Sequence, residues 1–160
     1  MYFDGLLAKA GAGAGVYIIS PTKDTLSYSY KLVFELSNNI AEYEALLLGL
    51  HALKDLGARR VQIFGESELV VNQVNDSYQP RHPRMRAYRN EVWDMFRNYF
   101  TEHKVQVIPR YENTVADSLA TTSENFETSI VGKRKYKLDI VNRNSIPDNT
   151  RYWQVFEDDM

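Results

Sequence analysis

Four acidic residues stand where a folded chain can bring them together: Asp4, Glu42, Glu66 and Asp117. Asp4 is the most telling. It lies in the apolar run Tyr2-Phe3-Asp4-Gly5-Leu6-Leu7, and a carboxylate that joins a core is costly to desolvate unless a partner offsets its charge. Converging carboxylates repel one another and accept divalent cations in compensation. Hard oxygen ligands of this kind select magnesium or manganese. A pair of such ions can activate water and stabilise a leaving oxygen at a phosphodiester. Each acid also has a plainer role open to it. Asn39-x-x-Glu42 matches a capping box, Asp117 suits the first turn of a helix, and Glu66 suits a solvated strand end.

The elements that must position these acids follow from hydrophobic spacing. Tyr2 to Ala8 reads as a strand, and the glycine- and alanine-rich stretch Lys9 to Gly15 as a flexible hairpin connection. Val16 to Ser20 is a second strand. Leu26 to Leu36 alternates as a third, with Tyr28, Tyr30, Leu32, Phe34 and Leu36 on one face. Ser37-Asn38-Asn39 stops that strand and caps a helix running to Leu56, with Glu42 in its first turn. Arg60 to Phe64 is a fourth strand, followed by Glu66 and a short helix over Ser67 to Asn75. A long helix covers Arg84 to Glu102, a fifth strand Val105 to Ile108, and a last helix Thr114 to Phe126 with Asp117 in its first turn. Three antiparallel strands, then strands alternating with helices, predict an α/β domain with a mixed five-stranded sheet and helices on both faces. The domain is expected to occupy residues 1–127. Residues 128–160 lose the pattern and read as a loosely ordered tail, docked at most by Tyr152, Trp153 and Phe156.

The chain has 160 residues, enough for one such domain. It has no cysteine, hence no disulfide framework and no thiolate metal site. No apolar run has the length of a membrane span, and no secretory signal opens the chain. An intracellular protein is expected, in nucleus or cytoplasm. Net charge is -2, so contact with nucleic acid requires a local basic patch. Arg81, His82, Arg84, Arg86 and Arg89 form the dense basic cluster, with no acid between residues 81 and 89.

Five segments carry a resemblance: Tyr2-Phe3-Asp4-Gly5, Ser37 to Leu46, Glu66 to Val71, His82 to Tyr88, and Ala116 to Ala120. In this order they resemble the type 1, retroviral- or archaeal-like ribonuclease H domain of plant gypsy-type long-terminal-repeat retrotransposon polyproteins, over about residues 1 to 126. Ser145 to Asn149 and Trp153 to Phe156 are similar to the polyprotein segment that follows that domain. With Met1 at the first strand, an excised polyprotein domain or a free-standing domesticated copy is expected. The resemblance implies a ribonuclease H-like fold and metal-dependent cleavage of the RNA strand of RNA–DNA hybrids, leaving 5′-phosphate and 3′-hydroxyl ends. It implies two Mg2+ ions, or Mn2+ in their place, held by Asp4, Glu42, Glu66 and Asp117. Asp4 would bridge both, Asp117 hold the ion that activates water, and Glu42 and Glu66 the ion at the leaving oxygen. Glu44 is the near alternative to Glu42, but two residues along a helix is about 200° around it. Gly5, Ser37, Asn38, Asn39 and Ser67 would contact the hybrid, the asparagines in its minor groove, while Arg81, Arg84, Arg86 and Arg89 would meet phosphates.

The chain departs from that pattern in three places. Glu66 replaces an aspartate, so its carboxylate reaches one methylene further. Arg110 to Asn113 lacks the histidine many bacterial members carry before the last acid. Leu6 and Leu7 follow Asp4-Gly5 where small residues are usual. A catalytically impaired module that binds nucleic acid or protein is therefore the competing expectation; its protein partners are unknown.

Overall fold

The computed structural model describes residues 1–9, 11–124, 137–141 and 145. In chain order the elements are β1 (Tyr2–Ala8), β2 (Gly11–Ile19), β3 (Thr25–Leu32), α1 (Asn38–Asp55), β4 (Arg60–Gly65), α2 (Glu68–Val74), α3 (Pro83–Tyr99), β5 (Glu102–Val107), a 3-10 turn (Arg110–Glu112), α4 (Thr114–Glu124) and β6 (Lys137–Val141). The strands lie in the order β5-β4-β1-β2-β3-β6. β1, β2 and β3 are antiparallel, whereas β4 and β5 run parallel to β1 and to each other. This is the five-stranded mixed sheet expected, with a sixth strand added in parallel at the free edge of β3. The domain boundary expected at residue 127, and Tyr152, Trp153 and Phe156 of the tail, lie outside the described residues.

The glycine- and alanine-rich stretch is not a connection. It is the first half of β2, in the middle of the sheet, where Asp4 faces Gly15 and Gly5 faces Ala14. Alternation sends these two pairs to opposite faces. A Cβ on Gly5 would lie 2.2 Å from the Ala41 carbonyl carbon in α1, and one on Gly15 would lie 2.0 Å from the Ala116 oxygen in α4. Glycine in a strand interior marks close backbone approach, and here it marks one helix docking on each face. On the α4 face the Ser29 hydroxyl donates to the Leu119 carbonyl at 2.5 Å. On the other face Phe3, Val16, Leu46, Leu50 and Ile63 are fully buried, and Tyr43 and Tyr88 bring α3 into the same core. Gly15→Ala is expected to lower stability by about 1–3 kcal/mol, because backbone must move. Thermal unfolding reads this directly; an unchanged midpoint would mean that α4 does not need its close seat.

Other boundaries moved for physical reasons. β3 ends at Leu32, and Val33 turns its amide to the Val141 carbonyl at 3.0 Å. α3 stops at Tyr99, where buried Phe100 packs edge-on against Phe96. β5 begins at once with Glu102-His103-Lys104, exposed side chains without apolar alternation, held by its pairing to β4. No helix among the described residues is long and apolar enough to cross a membrane.

Candidate metal and nucleic-acid site

Asp4 sits mid-strand, 4% exposed, on the face covered by α4. Glu42 comes from α1, but not from its first turn. Ser37 is the N-cap, its hydroxyl oxygen accepting the Ile40 amide at 3.3 Å, so the capping-box role expected of Glu42 is absent. Instead Glu42 Oε1 accepts the Gly5 amide at 3.2 Å. The missing Cβ of Gly5 thus brings α1 against β1, and Glu42 with it. Glu66 follows β4 and is half-buried. Asp117 is in the first turn of α4, and its amide donates to the Asn113 carbonyl at 3.0 Å.

These four acids act on one another. Burial, then the charge of Glu42 and its hydrogen bond, then Glu66 push the Asp4 carboxyl far above the ordinary range. Burial also raises Glu42, against the opposing effect of its bonds to Asp4 and the Gly5 amide. Glu66 is raised by burial too, opposed by the Asn113 amide and the Arg110 guanidinium. Arg110 Nη2 is 3.6 Å from Asp117 Oδ1. Among the described residues no group of three or more acids or imidazoles is already arranged to hold a metal ion. As a donor set the acids still fit a hard divalent cation. Glu42 Oε2 and Glu66 Oε1 are buried oxygens with no hydrogen-bond partner among the described residues, and such atoms call for a charge or a donor.

Glu44 is elsewhere. It is fully buried, and its Oε1 accepts the Tyr88 hydroxyl at 2.6 Å. The basic cluster divides. Arg81 is exposed and Arg84 half-buried, whereas Arg86 and Arg89 are 7% and 8% exposed. Arg89 lies over the Trp93 ring at 4.2 Å and donates to Gln79 and Asn90. Arg86 and Arg89 are therefore corrected from surface cations to buried ones. Asn38 is exposed and Asn39 half-buried at the start of α1. Ser67 caps α2 through the Val70 amide at 3.2 Å. Between the starts of α1 and α3 lies a cleft of about 480 Å³ lined by Ser37, Asn39, His82 and Arg84, among others. His82 caps α3, its Nδ1 accepting the Arg84 amide at 3.1 Å.

Asn113 was not singled out from the sequence. An asparagine just before a helix reads as an ordinary cap. In the structure it is 1% exposed, and its Nδ2 donates to the Phe3 carbonyl at 3.0 Å. Its backbone oxygen holds Asp117, and its amide opposes the upward shift of Glu66. One residue therefore adjoins three of the four acids.

The family described as reverse transcriptase-like matches residues 2–123. Ribonuclease HI of Halobacterium salinarum is 29% identical over 123 residues, 74% of this chain and 60% of that protein. The Mycobacterium tuberculosis protein called Bifunctional protein Rv2228c is 31% identical over 111 residues, 69% of this chain and 30% of its own length. The chain thus spans less than two thirds of these relatives. Two crystal structures share the ribonuclease H-like α/β fold. RNase H1 from Halobacterium salinarum superposes with a TM-score of 0.73 at 26% identity, covering 78% of this chain and 96% of its own. LC11-RNase H1, in complex with an RNA/DNA hybrid, does so with 0.72 at 29%, covering 80% and 97%.

Proposed function

The chain belongs to the reverse transcriptase-like family, and from that membership we propose that it is a metal-dependent endoribonuclease cleaving the RNA strand of RNA–DNA hybrids. The observation that carries this reading is that Glu42, Glu66 and Asp117 all act on the buried Asp4 carboxyl, with Glu42 Oε2 and Glu66 Oε1 buried and without a hydrogen-bond partner among the described residues. A relative named ribonuclease HI and a structural neighbour crystallised with a hybrid support the choice of substrate. In this reading the four acids hold two Mg2+ or Mn2+ ions, which supply an activated water and neutralise charge at the leaving 3′ oxygen.

The remaining residues bind and orient. The Gly5 amide keeps Glu42 turned toward β1. Asn38 and Asn39 offer amides to the minor groove, where 2′-hydroxyls distinguish RNA from DNA. Ser37 and Ser67 use hydroxyl oxygens as caps, and each keeps its hydroxyl hydrogen for a phosphate. Arg81 and Arg84 carry the phosphate contacts. Descent from a plant gypsy-type retroelement belongs to the same reading and rests on the sequence motifs alone.

The test is cleavage of an end-labelled RNA–DNA hybrid with Mg2+, Mn2+ or chelator. Metal-dependent cutting to 5′-phosphate and 3′-hydroxyl ends is expected. A hybrid left intact with both metals, at protein concentrations that bind it, would refute the enzymatic reading. Glu66 favours a second reading, a hybrid binder that cuts poorly. Magnesium demands near-ideal octahedral geometry, and misplacement by about 1 Å costs on the order of a hundredfold in rate. Glu66→Asp is therefore expected to raise the Mg2+-supported rate, by up to about a hundredfold, and to narrow the gap to the Mn2+ rate. An unchanged rate in both metals would show that the extra methylene is accommodated.

A further inference from the structure

Tyr2 precedes Asp4 by two residues on β1 and shares its face of the sheet, the one that carries α4. Its ring packs between those of Phe64 and Tyr17, with centroids 4.9 and 6.2 Å away. The three rings come from β4, β1 and β2, neighbours in the sheet, and form a row across it. α4 packs on β1, β2 and β3. Beyond Phe64 the same face of β4 and β5 is exposed, at Arg60, Gln62, Lys104 and Gln106. Between the row and the start of α4 lies a cavity of about 160 Å³. Tyr2, Tyr17, Ile19 and Val115 supply its apolar wall, Glu112 and Asn113 its polar one. The Glu112 side chain is exposed and has no hydrogen bond or ion pair among the described residues. Asn113 stands between the cavity and the acids, its Nδ2 donating to the carbonyl of Phe3, next to Asp4.

We propose that this cavity is a subsite for one unpaired pyrimidine base, cytosine by preference, of a strand that extends beyond the hybrid. The proposal rests on the hybrid-cleaving reading and adds a second contact to it. Three properties select the occupant. The volume is that of a single ring, since a cavity of about 150 Å³ holds a benzene-sized molecule, and a purine is larger. The wall is aromatic, and unpaired bases stack on aromatic side chains. The free polar group is an acceptor. A carboxylate accepts a hydrogen bond from the amino group of cytosine, whereas uracil and thymine carry a carbonyl oxygen there, which Glu112 repels. The location suits a strand that leaves the acids. Two residues of β1 span about 7 Å, about two nucleotides at a rise of roughly 3.4 Å each.

The test measures binding of fluorescent RNA–DNA hybrids by anisotropy, in the full chain carrying Asp4→Asn so that nothing is cut. One hybrid is blunt, and the others carry a short single-stranded tail of deoxycytidine or thymidine at either end. A deoxycytidine tail at one end is expected to tighten binding about tenfold over the blunt hybrid, and a thymidine tail about threefold. Tyr2→Leu keeps an apolar wall without a ring, and Ile19→Glu places a charge at a rim position that is 42% exposed. Each is expected to remove the gain from both tails while affinity for the blunt hybrid holds. Tyr2→Phe keeps the ring and is expected to behave like the parent. Glu112→Ala is expected to make the two tails equal. Melting points identify a variant that has not folded, and the other then decides. No gain from any tail in a parent that binds the blunt hybrid overturns the proposal. So does a gain that survives both Tyr2→Leu and Ile19→Glu, or a thymidine gain equal to that of deoxycytidine. A parent that binds neither blunt nor tailed hybrid defeats the hybrid-cleaving reading itself, and this proposal with it.

Discussion

Asp4→Asn is expected to abolish cleavage, by on the order of a thousandfold, while making the cation-free protein more stable at alkaline pH. Both effects have one cause. Asp4 is buried beside Glu42 and Glu66, and its folded pKa stands far above the ordinary carboxylate value. A folded pKa raised above the unfolded one means that the native state binds more protons than the unfolded state between the two values. The contribution of this carboxyl is therefore intact below about pH 3.9, the unfolded value. It is lost as pH rises toward the folded value, at up to about 1.4 kcal/mol per pH unit. The cation-free wild type should melt progressively lower from pH 5 to pH 8.5, and Asp4→Asn should flatten that decline. Divalent cation should raise the wild-type melting point at pH 8 with release of protons, and raise that of Asp4→Asn less. Melting curves at several pH values, with and without Mg2+ or Mn2+, read all of this beside the cleavage assay. A variant with the wild-type pH dependence would show that Asp4 does not carry the site's proton.

Asn113→Ala is expected to reduce kcat by about a hundredfold while leaving hybrid affinity within a few-fold. Removing the amide strips the buried Phe3 carbonyl of its donor, a loss of about 1–3 kcal/mol, and Asp4 is the next residue along β1. Glu66 loses the amide that opposes its upward shift, while the backbone bond to Asp117 is unaffected. The binding residues Asn38, Asn39 and Arg84 stand on α1 and α3, so KM is spared. The melting point should fall by about 2–4 °C for each kcal/mol lost. A parental kcat in a destabilised variant would reduce Asn113 to a packing role.

Gly5 and Gly15 show how far the sequence could be read. Both glycines were visible in it, and Gly5 beside Asp4 already drew attention to β1. From sequence Gly15 reads as part of a connection, because the reason for it lies at Ala116, about a hundred residues away, and no local pattern records that contact. The basic cluster failed in the same way. Four arginines and a histidine within nine residues read as a surface, yet Arg86 and Arg89 sit on the inward side of α3, where Gln79, Asn90 and Trp93 receive Arg89.

By itself the sequence determined the mixed sheet and the candidate acids. Hydrophobic alternation and helical spacing are local properties, and an acid inside an apolar strand is costly enough to be conspicuous. The separation of Glu42 from Glu44 was also local, since two residues turn a helix through about 200°. Only the tertiary structure decided which of them faces Asp4. It placed Asn113 against three acids, turned two arginines into the core, and set Tyr2 and Glu112 around one cavity. Those outcomes depend on contacts between segments far apart in the chain, made where backbones approach closely enough that a single Cβ would intervene.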